Sequence, residues 1–217
     1  MLFGGEEMEI IKIPTGEIQE NCYLVADKEN LLIIDPGADG PIIIQEIEKL
    51  KAKPVAILLT HTHYDHIGAV DELRDYYNIP LYVSPLEADW LQDPIMNLSG
   101  LGRHDELENI LVAPADFLFE LKEYTLGGMT FEVVATPGHS IGSVSFIFDS
   151  FVISGDALFR GSIGRTDLPT GNLEQLLTSI KTELFTLPDE FPVYPGHGEA
   201  TTVEREKKSN PFFLATR

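Results

Sequence analysis

The sequence predicts a domain of α/β or α+β class. Two observations carry that reading: short apolar runs of strand length end in turn residues, and amphipathic stretches with helical spacing lie among them. A third bears on organisation. No short-period repeat, low-complexity tract or clean linker interrupts the chain, so residues 1–217 read as one domain.

The elements follow in order. EIIKIP (9–14), NCYLVAD (21–27) and NLLIIDPG (30–37) are strand-like apolar runs. PIIIQEIEKLKA (41–52) mixes apolar and charged residues at helical spacing, and VAILLTH (55–61) returns to an apolar run. HIGAVDELRDYYN (66–78) predicts a second helix, and LYVSP (81–85) a short strand. FEVVATPGH (131–139), SVSFIFD (143–149), FVISGD (151–156) and FPVYPGH (191–197) complete the strands. NLEQLLTSIKTELF (172–185) and TTVEREKKS (201–209) are the remaining helix candidates.

Charge narrows the choice of partner. The formal net charge is −20, with 35 acidic against 15 basic residues. That leaves no positive footprint for nucleic acid and argues against anionic membrane surfaces. A small substrate remains compatible, because bound metal ions reverse the local sign. No run approaches a membrane helix, and MLFGGEEMEIIKIP lacks the basic and apolar regions of a signal peptide. Met8 is a plausible alternative start, just ahead of the first strand. The one cysteine, Cys22, permits a reducing compartment and reads as a small buried hydrophobe, so a cytoplasmic location is expected.

The strand ends carry the chemistry. VAILLT runs into His61, FEVVATPG into His139, FVISG into Asp156 and FPVYPG into His197. A strand end is a rigid place to hold a ligand. In THTHYDHIGAV (60–70), His61 and His63 stand two apart and share a direction in extended chain, while Asp65 and His66 open the following helix. Gly68 permits close backbone approach. His104, in GLGRHDELEN, has acidic neighbours and no such pattern and reads as a non-ligand. Imidazole with carboxylate suits zinc, iron or manganese rather than calcium. Without cysteine among the candidates, a structural thiolate site is excluded and a catalytic centre with an open position is expected. The ligand count fits two divalent ions, zinc first. His61, His63 and His139 would hold one, Asp65, His66 and His197 the other, and Asp156 would bridge them.

T-H-T-H-Y-D-H resembles the H-x-H-x-D-H motif of the metallo-β-lactamase superfamily, and His139, Asp156 and His197 match its later ligands in order. The resemblance runs from NCYLV to NPFF and implies a four-layer αβ/βα sandwich with metals at one edge. GDALFRGSIGRTDLPTGN and PGHGEATTVEREKKSNPFF are similar to small bacterial glyoxalase II-like hydrolases. That branch implies cleavage of a small-molecule thioester by hydroxide generated at the metals, with Asp65 both ligand and orienting residue. Glyoxalase II enzymes carry a further helical domain for glutathione, whereas 20 residues follow His197 here, so those glutathione contacts do not carry over.

Neighbouring residues have two readings each. Asp35, in LLIIDPGAD, either accepts a proton from a ligand histidine or forms the turn before Pro-Gly. Arg165 either meets a substrate carboxylate or, on the stronger reading, pairs with Asp167 or Asp156. Thr60 would anchor the ligand loop by hydrogen bonding. Trp90, Met96, Leu98 and Leu101 either shape a substrate pocket or belong to the core. Two other functions compete with hydrolysis. One is a persulfide dioxygenase using one iron on His61, His139 and Asp156; the other is a non-catalytic metal-binding protein. Charge disfavours a ribonuclease, and the lack of a signal peptide a secreted β-lactamase.

Overall fold

The computed structural model describes residues 8–101 and 108–214. The chain begins with strands β1 (Glu9–Thr15), β2 (Glu20–Ala26) and β3 (Asn30–Ile34) and helix α1 (Gly40–Leu50). Strand β4 (Lys53–Leu58), helices α2 (Tyr64–Ile67) and α3 (Val70–Tyr77), and strands β5 (Leu81–Val83) and β6 (Phe117–Leu118) follow. The second half comprises β7 (Glu123–Leu126), β8 (Met129–Ala135), β9 (Val144–Ile147), β10 (Val152–Gly155) and the small hairpin β11 (Leu158–Phe159) and β12 (Ser162–Ile163). Helix α4 (Leu173–Ser179), strands β13 (Pro192–Pro195) and β14 (Thr201–Thr202), and helices α5 (Val203–Ser209) and α6 (Pro211–Leu214) close it.

The strands form two six-stranded sheets, in the orders β1-β2-β3-β4-β5-β6 and β14-β13-β10-β9-β8-β7. Crossovers through α1 and through α2–α3 make β3, β4 and β5 parallel. Period-two alternation divides each central strand between two cores. Tyr23, Val25, Leu32, Ile34 and Leu58 meet Phe131, Val133, Phe146 and Ile153 between the sheets. Their sequence neighbours Cys22, Leu24, Leu31, Ile33 and Ile57 pack instead on Ile43 and Ile47 of α1 and Val70 and Leu73 of α3. On the far side, Val152 and Val193 pack on Leu176, Ile180, Leu184 and Val203. Helices therefore cover both outer faces, the four-layer arrangement expected. Phe146 is wholly buried between the sheets, a position where truncation to Ala costs about 3–5 kcal/mol.

Four departures from the sequence reading have local causes. HIGAVDELRDYYN does not form one helix. The Ala69 N–H leaves the helical ladder to donate to the Pro36 carbonyl at 3.0 Å, separating α2 from α3. NLEQLLTSIKTELF begins as α4, capped by Asn172 accepting from the Gln175 N–H, and widens to a π turn over Ile180–Leu184. TTVEREKKS starts as strand β14, with Thr202 capping α5. Finally, β6, β7, β11 and β12 are short strands that no apolar run marks; Phe117 and Leu118 of β6 are exposed, and EYTL of β7 is half polar.

In the second sheet β10 is parallel to β13 and antiparallel to β9, which is antiparallel to β8. The three strands β8, β10 and β13 thus end on one edge, leading into His139, Asp156 and His197. The Asn21 N–H donates to the Gly196 carbonyl at 2.7 Å, and the Val144 N–H to the Thr60 carbonyl at 2.8 Å, tying the sheets together there. Among the described residues no helix is long and apolar enough to cross a membrane.

Candidate metal centre

One carboxylate organises the β4 side of this edge. Asp35 follows β3 with φ 50°, a left-handed conformation that Asp tolerates better than most residues. Its Oδ1 accepts from the Thr60 N–H at 2.7 Å, and its Oδ2 from the Thr60 hydroxyl at 2.5 Å. His66 Nδ1 lies 3.0 Å from the same Oδ2. The Thr60 hydroxyl proton is committed to Asp35, so its oxygen accepts from His61 Nδ1 at 3.1 Å. The network therefore places a hydrogen on Nδ1 of both His61 and His66 and turns both Nε2 atoms toward the site. On the other sheet, His139 Nδ1 donates to the Arg165 carbonyl at 2.8 Å, turning its Nε2 inward in the same way.

The predicted ligands converge in two groups. Donor atoms of His61, His63 and His139 all lie within 4.8 Å of one another, as do those of Asp65, His66 and His197. Asp156 stands between them. Its Oδ2 is 3.5 Å from His139 Nε2 and 3.7 Å from His197 Nε2, and its Oδ1 is 3.6 Å from His66 Nε2. Asp35, His61 and His66 form a third group of the same compactness. Both Asp35 oxygens are already engaged by Thr60 and His66, so Asp35 supports the ligands rather than joining them.

Unsatisfied atoms test whether metal fits. His61 Nε2, His63 Nε2, His66 Nε2 and Asp156 Oδ1 are all buried without a hydrogen-bond partner. Each such group costs about 1–3 kcal/mol when left unpaired. His66 Nε2 lies 3.6 Å from Asp156 Oδ1 and His61 belongs to the adjoining donor group, while His63 turns its Nδ1 to His139 Nε2 at 2.9 Å; bound cations would satisfy nitrogen lone pairs and a carboxylate together. Five imidazoles with carboxylates match zinc, iron or manganese. The residues present fit two divalent ions.

Electrostatics divide the two groups. Burial pushes the His61 imidazole well down and His63 down to about 3, with repulsion from neighbouring imidazoles adding to it. Both rings are thus neutral and ready to ligate. Burial lowers His66 as well, but Asp65, Asp35 and Asp156 more than offset it and hold it well above its ordinary value. His197 is raised despite burial by its hydrogen bond to Asp65 and the nearby Asp156. Burial raises Asp65, yet His66 and His197 bring it well below the usual carboxylate range, so it is ionised.

A cavity of about 470 Å³ opens onto the centre. Leu98 and Leu101 line it, with Ile18, Phe159, Ile163 and Leu168. Trp90 is core, its ring 6.5 Å from that of His63 and nearly parallel to it, and Met96 is absent from the lining. Arg165 pairs bidentately with Asp167 at 2.8 Å, as the stronger reading expected, and presents its carbonyl to His139. Cys22 is a buried hydrophobe facing α1. His104 lies outside the described residues. Two buried acids beside the candidate ligands escaped the sequence reading. Glu20 Oε1 approaches His66 Nδ1 at 3.7 Å, and Glu87 accepts hydrogen bonds from Thr62 and Gly142. Neither belongs to a ligand-like motif; an acid inside a strand-like stretch, as with Glu20 beside NCYLVAD, is the only signal available.

Comparison with known proteins agrees with this geometry. A family profile of the metallo-beta-lactamase superfamily matches residues 15–197. A probable metallo-hydrolase of Streptococcus pyogenes serotype M6 is 52% identical over 95% of this chain and 90% of its own length. The Haemophilus influenzae hydroxyacylglutathione hydrolase GloC is 39% identical over 94% of this chain and 98% of its own. The crystal structure of the B3 metallo-beta-lactamase BLEG-1 superposes with TM-score 0.90 at 43% identity, covering 94% of this chain and 99% of that one. A di-iron form of TTHA1623 superposes with TM-score 0.80 at 37% identity, covering 93% and 99%. The two histidine groups at the sheet edge, the layers that carry them and these similarities agree, and the chain belongs to the metallo-beta-lactamase superfamily as a metallo-hydrolase.

Proposed function

We propose that this metallo-hydrolase cleaves small-molecule thioesters of hydroxyacylglutathione type at a centre of two divalent ions, zinc in the first instance. The observation that carries the reading is Asp156, with oxygens facing both three-residue donor groups. The likeness to a hydroxyacylglutathione hydrolase supports the thioester as substrate.

Divalent ions in such a centre supply Lewis acidity and a hydroxide nucleophile at neutral pH. The chain's own residues do the rest. His61, His63 and His139 would hold one ion, and Asp65, His66 and His197 the other, with Asp156 facing both groups. Asp35 and Thr60 keep the His61 and His66 tautomers fixed, so the ligand geometry is set before substrate arrives. Asp65 is held ionised by His66 and His197, with His197 Nε2 3.1 Å from its Oδ2, and would accept a hydrogen bond from the nucleophile and orient it. The apolar wall of Ile18, Leu98, Leu101 and Phe159 takes the acyl or thiol chain and keeps bulk water away from the carbonyl. The C–S bond breaks with departure of a thiolate, a good leaving group that needs little protonation.

The test is thiol release from a hydroxyacyl thioester by zinc-loaded protein, beside oxygen uptake with glutathione persulfide. The reading expects thiol release, lost by orders of magnitude in His66→Ala and His197→Ala. Persulfide-dependent oxygen uptake by protein carrying one iron, without thioester cleavage by two-metal protein, would replace it with the dioxygenase reading.

A further inference from the structure

Glu87 lies in the segment after β5, in LEADW, and is wholly buried. It touches no candidate ligand, yet its two oxygens reach the two loops that carry three of them. Oε2 accepts from the Thr62 N–H at 2.8 Å and the Thr62 hydroxyl at 3.1 Å. Thr62 is the residue between His61 and His63. Oε1 accepts from the Gly142 N–H at 2.7 Å and the Ser140 hydroxyl at 2.5 Å. Ser140 follows His139 directly, and its hydroxyl also lies 2.7 Å from that of Ser143. Position 142 is built for this contact, since a Cβ there would meet Glu87 Cγ at 2.7 Å.

We infer that Glu87 is a positioning residue that locks His61, His63 and His139 into one ligand group by bolting the β4 loop to the β8–β9 loop. The inference rests on the reading of those three histidines as a metal site. Glu87 is the counterpart of Asp35, which fixes His61 and His66 through its own separate contacts. The chemistry requires a carboxylate. Two backbone N–H groups, Thr62 and Gly142, can only donate, and they meet different oxygens. A glutamine must turn its NH₂ toward one of them, so one loop loses its anchor and faces a donor. Asp65, His66 and His197 have no contact with this clamp, so the effect should fall on one group.

The experiment follows imidazole nitrogens by NMR in full-length protein with labelled histidine during zinc titration. In wild type, His61, His63 and His139 respond together, as do His66 and His197. In Glu87→Gln, His66 and His197 should respond at wild-type zinc concentrations, while His61, His63 and His139 need about 10–100-fold more. Ser140→Ala removes one small buried hydroxyl and should move the same three rings by about fivefold. Glu87→Asp, which keeps both acceptors on a shorter arm, should recover part of the loss. Wild-type rings that respond to zinc, with Glu87→Gln and Ser140→Ala responding at unchanged affinity or weakening both groups equally, would overturn the inference alone. Wild-type rings indifferent to zinc would overturn the metal reading and this inference with it.

Discussion

Replacing Asp35 by Asn isolates the role of hydrogen-bond polarity in setting the ligands. Asn is the suitable substitution because it too tolerates the left-handed backbone at φ 50° and keeps the volume. Asp35 accepts from a backbone N–H on one oxygen and from Thr60 and His66 on the other. If the Asn oxygen faces the Thr60 N–H, its NH₂ faces His66 Nδ1 and drives that ring to the tautomer with hydrogen on Nε2. The hydrogen then points where the lone pair should. If the amide is reversed, NH₂ faces the Thr60 N–H and a buried donor is orphaned, at about 1–3 kcal/mol. Loss of such a supporting partner lowers metal affinity by about 10–100-fold, which is about 1.4–2.8 kcal/mol, so the two estimates agree. Asp35→Asn should therefore weaken the ion held by Asp65, His66 and His197 by about 10–100-fold. Competition against a chelator of known zinc affinity reads this directly, and urea unfolding of metal-free protein reads the orphaned donor. Two ions bound with wild-type affinity in Asp35→Asn would refute the tautomer argument.

Other outcomes follow from the same geometry. Asp156→Ala should weaken both ions, since its oxygens face both groups; metal content at limiting zinc checks it. Gly196→Ala should do the same without replacing a ligand, because the added Cβ would meet Asp156 Oδ1 at 2.2 Å and His66 Cε1 at 2.8 Å; metal content beside an intact circular dichroism spectrum separates this from misfolding. Arg165→Ala should leave zinc affinity unchanged, because the anchor of His139 is the Arg165 carbonyl, which the variant keeps. Zinc uptake near neutral pH should release protons, because raised values favour protons on His66 and His197 that the metal would displace, while His61 and His63 are depressed. The release should fade as pH rises through the His66 and His197 values; calorimetry in two buffers of different ionisation enthalpy measures it. Stability of the metal-free protein carries the matching sign. The depressed His63 removes stability as pH falls from about 6.5 toward about 3, and raised His66 and His197 remove it as pH rises through their folded values.

Much of this was legible in the sequence for a physical reason. Buried strands must be apolar on both faces here, so runs such as NLLII and VAIL stand out, and a polar ligand at the end of such a run breaks the pattern visibly. The H-x-H-x-D-H spacing then concentrates donors in a single turn. What stayed hidden depends on contacts distant in sequence. Asp35 supports His61 and His66 from 25 residues or more away, and D-P-G reads equally as a turn. Glu87 and Glu20 are acids without a motif, and only folding brings them beneath the ligand loops. The break after α2 is set by the Pro36 carbonyl, a partner that helical periodicity in HIGAVDEL cannot reveal. Short strands such as β11 and β12, though Leu158 and Ile163 are buried, have too few residues for a period to register.

The central claim is that two ions act together on a thioester, and a stoichiometric titration tests it most directly. Metal-free protein receives zinc in increments, and bound zinc and thiol release from a hydroxyacyl thioester are measured on the same samples. The account predicts little turnover at one ion per chain and a rise to full rate as the second binds, with Asp156→Ala failing to reach that rate. Full thioesterase activity at one ion per chain, or none at two, would contradict it.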